Sequence, residues 1–247
     1  VTDPKVSLAN KRGVEAYGGE VVIIDKKDEL GDYVSTRAAY IQELIAKNPD
    51  YVWVNQYANP ANVKAHVTWT AEEILRNFAK VDYLFIGAGT TGTLMGVSKV
   101  FKEKSPGTKI IAVDHSGSAT FDDKRKGKRL IPGIGAGKRP ALTDPSLVHQ
   151  VVYVDEADAI KACYRISQQY GILLGGSTGL VVEAVLSQAS ALKAGSTVVA
   201  ISPDLGEKYL DTVYSPEWVI RNFGFDPREV RYAPQGPLIA PLRDFIG

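Results

Sequence analysis

The sequence predicts an α/β protein with open, twisted, mostly parallel sheets, and two observations carry that expectation. Apolar strand-like runs alternate with segments of helical spacing, and glycine-rich turns stand where strands give way to helices. With 247 residues, 45% of them hydrophobic, the chain can bury a sizeable core as one or two domains. The expected division separates residues 1–53, the remainder of a smaller domain, from a larger domain over residues 54–247 with its C-terminal tail.

The elements follow in order. Residues 7–17 have helical spacing and stop at the Gly18-Gly19 pair, and residues 20–25 read as a strand. Helical spacing returns over residues 33–47, a short strand over 51–55 and a longer helix over 62–78. The run 81–86 reads as a buried parallel strand, and 93–103 as an amphipathic helix with Lys102 and Glu103 on its charged face. Strands are expected over 109–114, 151–154 and 197–202. Helices are expected over 155–170, capped near Asp155, and over 177–192. The tail after Tyr214 contains five prolines and is expected to pack over the surface or a partner subunit.

Composition narrows the function classes. A formal net charge of +1 gives no reason to expect nucleic acid or an anionic membrane as partner, and no apolar run is long enough to span a bilayer. The basic run 124–129 has no interleaved aromatics and reads as a mobile solvated loop, with attraction of an anionic substrate as the alternative. His66, His115 and His149 lack metal-ligand spacing, so no metal is expected. The single cysteine, Cys163, excludes an intramolecular disulfide, reads as a small core residue and suits a reducing cytoplasm.

The motif with most chemical content is Gly89-Thr90-Thr91-Gly92-Thr93, between a buried strand and a helix start. Free N–H groups at a helix start, close backbone approach at glycine and the helix dipole together suit a phosphate. Three readings stay open on this motif alone: a plain structural turn, a single-phosphate cofactor, and a dinucleotide. The last rests on the Gly87-x-Gly89-x-x-Gly92 spacing, with Asp114 at the end of the next strand to hold ribose hydroxyls.

Five motifs taken in order change the balance. They are Asn55-Gln-Tyr-Ala-Asn59, Gly89-Thr-Thr-Gly-Thr93, Pro132-Gly-Ile-Gly-Ala-Gly137, Gly171-Ile-Leu-Leu-Gly-Gly-Ser-Thr-Gly179 and Pro203-Asp-Leu-Gly-Glu-Lys-Tyr-Leu-Asp211. Together they resemble the cysteine synthase family of pyridoxal-phosphate enzymes, fold type II, over residues 3–214. The resemblance is closest to its siderophore-pathway branch, through residues 1–7, 31–37, 55–59, 176–179 and 209–215. That branch joins O-phospho-L-serine to L-glutamate, giving N-(2-amino-2-carboxyethyl)-L-glutamate, a precursor of 2,3-diaminopropionate.

The resemblance implies pyridoxal 5′-phosphate as cofactor, a two-domain homodimer, and β-replacement on an activated L-serine. Residues Gly89, Thr90, Thr91, Gly92 and Thr93 would bind the cofactor phosphate, and Ser177 would hydrogen-bond the pyridine nitrogen. A neutral hydroxyl there does not keep the ring nitrogen protonated, which favours β-elimination over transamination. Substrate contacts are expected from Arg37, a potential fork for a phosphate or carboxylate, and from Tyr57, Gly133 and Gly135. The plain readings are a solvated arginine, a core tyrosine, a turn, and, for Ser177, a helix cap. Asp204 reads as a loop-capping carboxylate.

Two departures stand beside the resemblance. The family's Schiff-base lysine motif and its Thr-Ser-Gly-Asn loop are not in the sequence, which opens on Val1-Thr-Asp-Pro-Lys5 without methionine. The expectation is therefore a chain lacking the N-terminal part of the fold, with no catalytic residue of its own. In addition, the phosphate loop begins with Gly89, as in cysteine synthases, where the siderophore members carry serine. An O-acetylserine or O-phosphoserine sulfhydrylase and a non-catalytic relative therefore stay open.

Overall fold

The computed structural model describes residues 1–4, 6–27 and 33–231. These divide into two compact units, Val1–Asn59 and Pro60–Gly247.

Among the described residues, the first unit holds two helices. Helix α1, Leu8–Ala16, starts where the Ser7 side chain accepts a hydrogen bond from the Asn10 N–H at 3.2 Å. Helix α2 spans Val34–Lys47 and closes with a Lys47–Glu43 pair one turn apart. The two expected strands are not formed. Among the described residues, the β pairing of residues 20–25 is the isolated parallel bridge Thr2 to Ile23. Residues 51–55 have no ladder among the described residues, and Asn55 leaves the β region at φ +42°. Their sequences suit strands, but a strand also needs a partner's ladder. Residue 5 and residues 28–32, which include part of the 31–37 resemblance, lie outside the described residues.

The second unit is the expected parallel α/β layer. The expected helix over 62–78 runs as α3, Pro60–Ala65, a π turn at His66–Thr70, and α4, Ala71–Asn77. Then follow β1 (Tyr83–Gly87), α5 (Gly92–Lys104), β2 (Lys109–His115), β3 (Gln150–Val154), α6 (Glu156–Tyr170), α7 (Gly176–Gln188) and β4 (Val198–Ala200). All strand pairs are parallel, in the order β3-β2-β1-β4.

Period-two alternation divides the core between the two faces of the sheet. Phe85, Ile111 and Val113 pack with Ile160, Cys163 and Leu180 of α6 and α7, whereas Leu84, Ile86, Ile110 and Ala112 pack with Leu94, Val97 and Phe101 of α5. Cys163 is fully buried, as the core reading required. Its sulfur would touch a Cβ at Gly179 at 2.5 Å, so the glycine is what lets α7 lie against α6.

Two expectations are corrected here. The tail does more than cover the surface up to residue 231. Ser215 caps α8, Pro216–Phe223, whose Val219 is fully buried in the core with Val213. Residues 232–247, with three of the five prolines, lie outside the described residues. The basic run keeps its three lysines exposed, but its two arginines are tied to the fold. Arg125 donates to the Ser116 carbonyl at 3.0 Å and stacks 3.6 Å from the Tyr153 ring centroid, while Arg129 donates to the Gly117 carbonyl at 3.3 Å.

Candidate functional site

In this strand order the chain moves outward from β1 to β2 and β3, then returns to the other side of β1 as β4. The topological switch point therefore lies at the carboxyl ends of β1 and β4, where open α/β sheets bind ligands. Residues 89–93 leave β1 there. Residues 202–204 leave β4 there and meet the start of α7.

The loop after β1 is held from three sides. Thr91, its left-handed residue at φ +66°, is the N-cap of the 13-residue α5 and makes no side-chain cap; the Gly92 N–H reaches Thr90 Oγ1 at a long 3.4 Å, a contact weak enough for an anion at the helix start to replace. The Asn62 amide donates to Thr90 Oγ1 at 3.1 Å, and the Thr91 and Thr143 hydroxyls are 3.1 Å apart. Thr93 Oγ1 lies 3.0 Å from His66 Nε2, and His66 Nδ1 lies 2.9 Å from Thr70 Oγ1. Partial burial lowers the His66 pKa.

A second loop closes over the first. Gly133 and Gly135 adopt φ +87° and +75°. The Gly135 N–H donates to the Ala88 carbonyl at 2.8 Å, and a Cβ on Gly89 would meet the Gly133 carbonyl oxygen at 2.5 Å. Glu156, in the first turn of α6, holds this loop from beneath. Its Oε1 accepts from the N–H groups of Leu130 at 2.7 Å and Ile131 at 2.6 Å. Burial raises its pKa against those two hydrogen bonds.

Ser177 completes the group. It is buried at the second position of α7, and a Cβ on Gly133 would stand 3.9 Å from its Oγ. Ser177 does not cap the helix, because the N-cap residue is Gly175. Asp204 braces the same helix start, chiefly through its carbonyl, which takes the Gly175 N–H and the Thr178 hydroxyl, each at 3.1 Å. Its carboxylate accepts from the Tyr209 hydroxyl at 2.6 Å.

The structure thus brings Gly89–Thr93, Gly133, Gly135 and Ser177 to one end of the sheet. Arg37 and Tyr57 belong to the first unit. Arg37 pairs with Asp3 at 3.3 Å and its Nε donates to the Tyr33 carbonyl at 3.3 Å. Tyr57 is 36% exposed, in a turn closed by Asn59 and Asn55. Asp114 is fully buried, with Oδ1 accepting from the His115 N–H at 2.9 Å. It therefore offers no ribose-binding carboxylate, and the dinucleotide reading loses its acid.

Four residues around these loops escaped the sequence reading: Asn62, His66, Thr143 and Glu156. The first three reach the loop across 28, 27 and 52 residues of sequence, a separation that no local pattern encodes. Glu156 did carry a signal, as an acid in a helix's first turn, but that position ordinarily serves the helix's own N–H groups.

A helix start offering N–H groups to an anion, crowded by glycines and faced by a buried neutral hydroxyl, fits a phosphorylated aromatic cofactor. The family model for pyridoxal-phosphate dependent enzymes matches residues 1–204, and the chain belongs to that family, whose cofactor is pyridoxal phosphate.

Solved structures agree on the fold. O-ureido-L-serine synthase is 29% identical with a TM-score of 0.78, covering 90% of this chain and 67% of its own. A hydrogen sulfide-producing enzyme from Fusobacterium nucleatum is 33% identical with a TM-score of 0.78, covering 84% and 70%. O-acetyl serine sulfhydrylase isoform 3 from Entamoeba histolytica is 34% identical with a TM-score of 0.76, covering 87% and 64%. The chain thus spans 64% to 70% of the length of these three structures.

Proposed function

We propose that the protein catalyses pyridoxal-phosphate-dependent β-replacement on an activated L-serine. One observation carries the reading: the helix start at residues 89–93, the left-handed turn at Gly133 and the buried hydroxyl of Ser177 converge at the carboxyl end of β1. The backbone of Gly89–Thr93 would hold the cofactor phosphate, and Ser177 would meet the pyridine nitrogen. Bound there, pyridoxal phosphate supplies the electron sink that lets an amino acid lose its α-proton and β-substituent. Ser177, being neutral, would not hold a proton on the ring nitrogen and so would limit transamination. Gly133 and Gly135 would let the second loop lie against the substrate, with Arg37 and Tyr57 contributing to its recognition. No lysine of residues 1–247 lies in the family's Schiff-base motif, and none is assigned that role.

Within this class, the motifs at residues 176–179 and 209–215 support O-phospho-L-serine and L-glutamate as substrates, in siderophore biosynthesis, by a cytoplasmic homodimer. The sulfhydrylase alternative is supported by Gly89 at the start of the loop and by the sulfhydrylase from E. histolytica among the similar structures. Mass spectrometry of products from O-phosphoserine or O-acetylserine, each with glutamate or sulfide, tests both. A serine-derived adduct of glutamate supports the first reading and cysteine the second. In a polypeptide that carries the Schiff-base lysine, no turnover of any pair overturns β-replacement and leaves a non-catalytic relative.

A further inference from the structure

We infer that His66 is a positioning residue that commits the single hydroxyl hydrogen of Thr93 to an anion at the start of α5. The inference rests on the proposed phosphate site and assigns a role to a residue outside the loop. Thr93 Oγ1 is 3.0 Å from His66 Nε2, and His66 Nδ1 is 2.9 Å from Thr70 Oγ1. A threonine hydroxyl has one hydrogen to give, and a neutral imidazole has one donor and one acceptor nitrogen. Two arrangements therefore satisfy the three groups.

In one, Thr93 donates to Nε2 and Nδ1–H donates to Thr70. Thr93 then turns only lone pairs toward the loop, which repels an anion. In the other, Thr70 donates to Nδ1, Nε2–H donates to Thr93, and the Thr93 hydrogen is free for the anion. A phosphate on the loop selects the second. Both require a neutral ring, and partial burial keeps the imidazole below its ordinary pKa.

The backbone is built to hold this alignment. His66 and Thr70 bound the π turn, in which the Ala71 N–H returns to the His66 carbonyl, and π turns recur at functional sites. Gly96 lets α5 press against this turn, since a Cβ there would meet the His66 Cβ and the Val63 carbonyl oxygen, each at 2.6 Å.

The test compares pyridoxal 5′-phosphate with pyridoxal, which lacks the phosphate, as ligands in equilibrium titrations of the purified protein. Thr93→Val and His66→Phe are each expected to weaken binding of the phosphorylated ligand by about fivefold to tenfold, with the double variant no weaker than the worse single one. His66→Gln, whose amide can donate, should recover most of the loss, and pyridoxal affinity should not change. Independently, long-range ¹H–¹⁵N spectra of the wild-type complex should show the hydrogen on Nε2. Additive losses, equal losses for pyridoxal, or a hydrogen on Nδ1 overturns the relay while leaving the phosphate site standing. Absence of saturable pyridoxal 5′-phosphate binding by the wild type overturns both.

Discussion

Gly89 and Gly133 meet backbone to backbone: the place where a Cβ would stand on Gly89 is 2.5 Å from the Gly133 carbonyl oxygen. Real Cβ atoms do not approach an oxygen so closely, so the two loops can close only because residue 89 is glycine. Gly89→Ala must separate them, at a cost of about 1–3 kcal/mol of stability. Gly107→Ala, in open space, should stay within about 0.5 kcal/mol. Thermal unfolding of the two variants measures the difference.

Glu156 secures the same loop from below. Glu156→Ala removes the acceptor for the Leu130 and Ile131 N–H groups and should cost about 1–3 kcal/mol. Glu156→Gln keeps an oxygen in place and should cost less. Hydrogen exchange at the two amides should accelerate in the alanine variant while amides in β1 and β2 stay protected.

Burial of Asp114 gives the fold a pH dependence whose sign follows from its raised pKa. Burial raises its pKa from 3.8 to about 6. The folded state then holds a proton that the unfolded state has released, so this group's contribution is greatest below pH 3.8 and is lost as pH rises through about 6. Asp114→Asn removes the charge and should raise stability above pH 6, by at most about 3 kcal/mol, while flattening the profile between the two values. Denaturant melts across that range check it, and an unchanged slope would show that the carboxylate is not desolvated.

In the proposed function, Ser177 would set the electronic character of the site. Ser177→Ala loses one hydrogen bond, about 0.5–1.5 kcal/mol, and should weaken pyridoxal 5′-phosphate binding by up to about tenfold. Ser177→Asp would protonate the ring nitrogen, so replacement products should fall and keto-acid products appear. Product analysis of the variant distinguishes these, and undiminished replacement would contradict the role given to the hydroxyl.

Much of the sheet was legible because β1 and β2 are apolar runs covered by helices on both faces, a pattern written residue by residue. The turns at residues 89–93 and 175–179 were legible as glycine-rich stretches at helix starts. What stayed hidden depends on partners distant in sequence. Residues 20–25 and 51–55 suit strands but lack a ladder among the described residues. The π turn at His66–Thr70 adds one residue to a helix without disturbing its apolar pattern. His66 read as a solvated or core histidine because its connection to Thr93 exists only after the π turn and α5 pack.

The most direct measurement is a crystal structure of the protein grown with pyridoxal 5′-phosphate. The account predicts the phosphate on the N–H groups of residues 91–94 and the pyridine nitrogen within hydrogen-bond distance of Ser177 Oγ. A cofactor bound elsewhere, or a phosphate that leaves the start of α5 untouched, would contradict it.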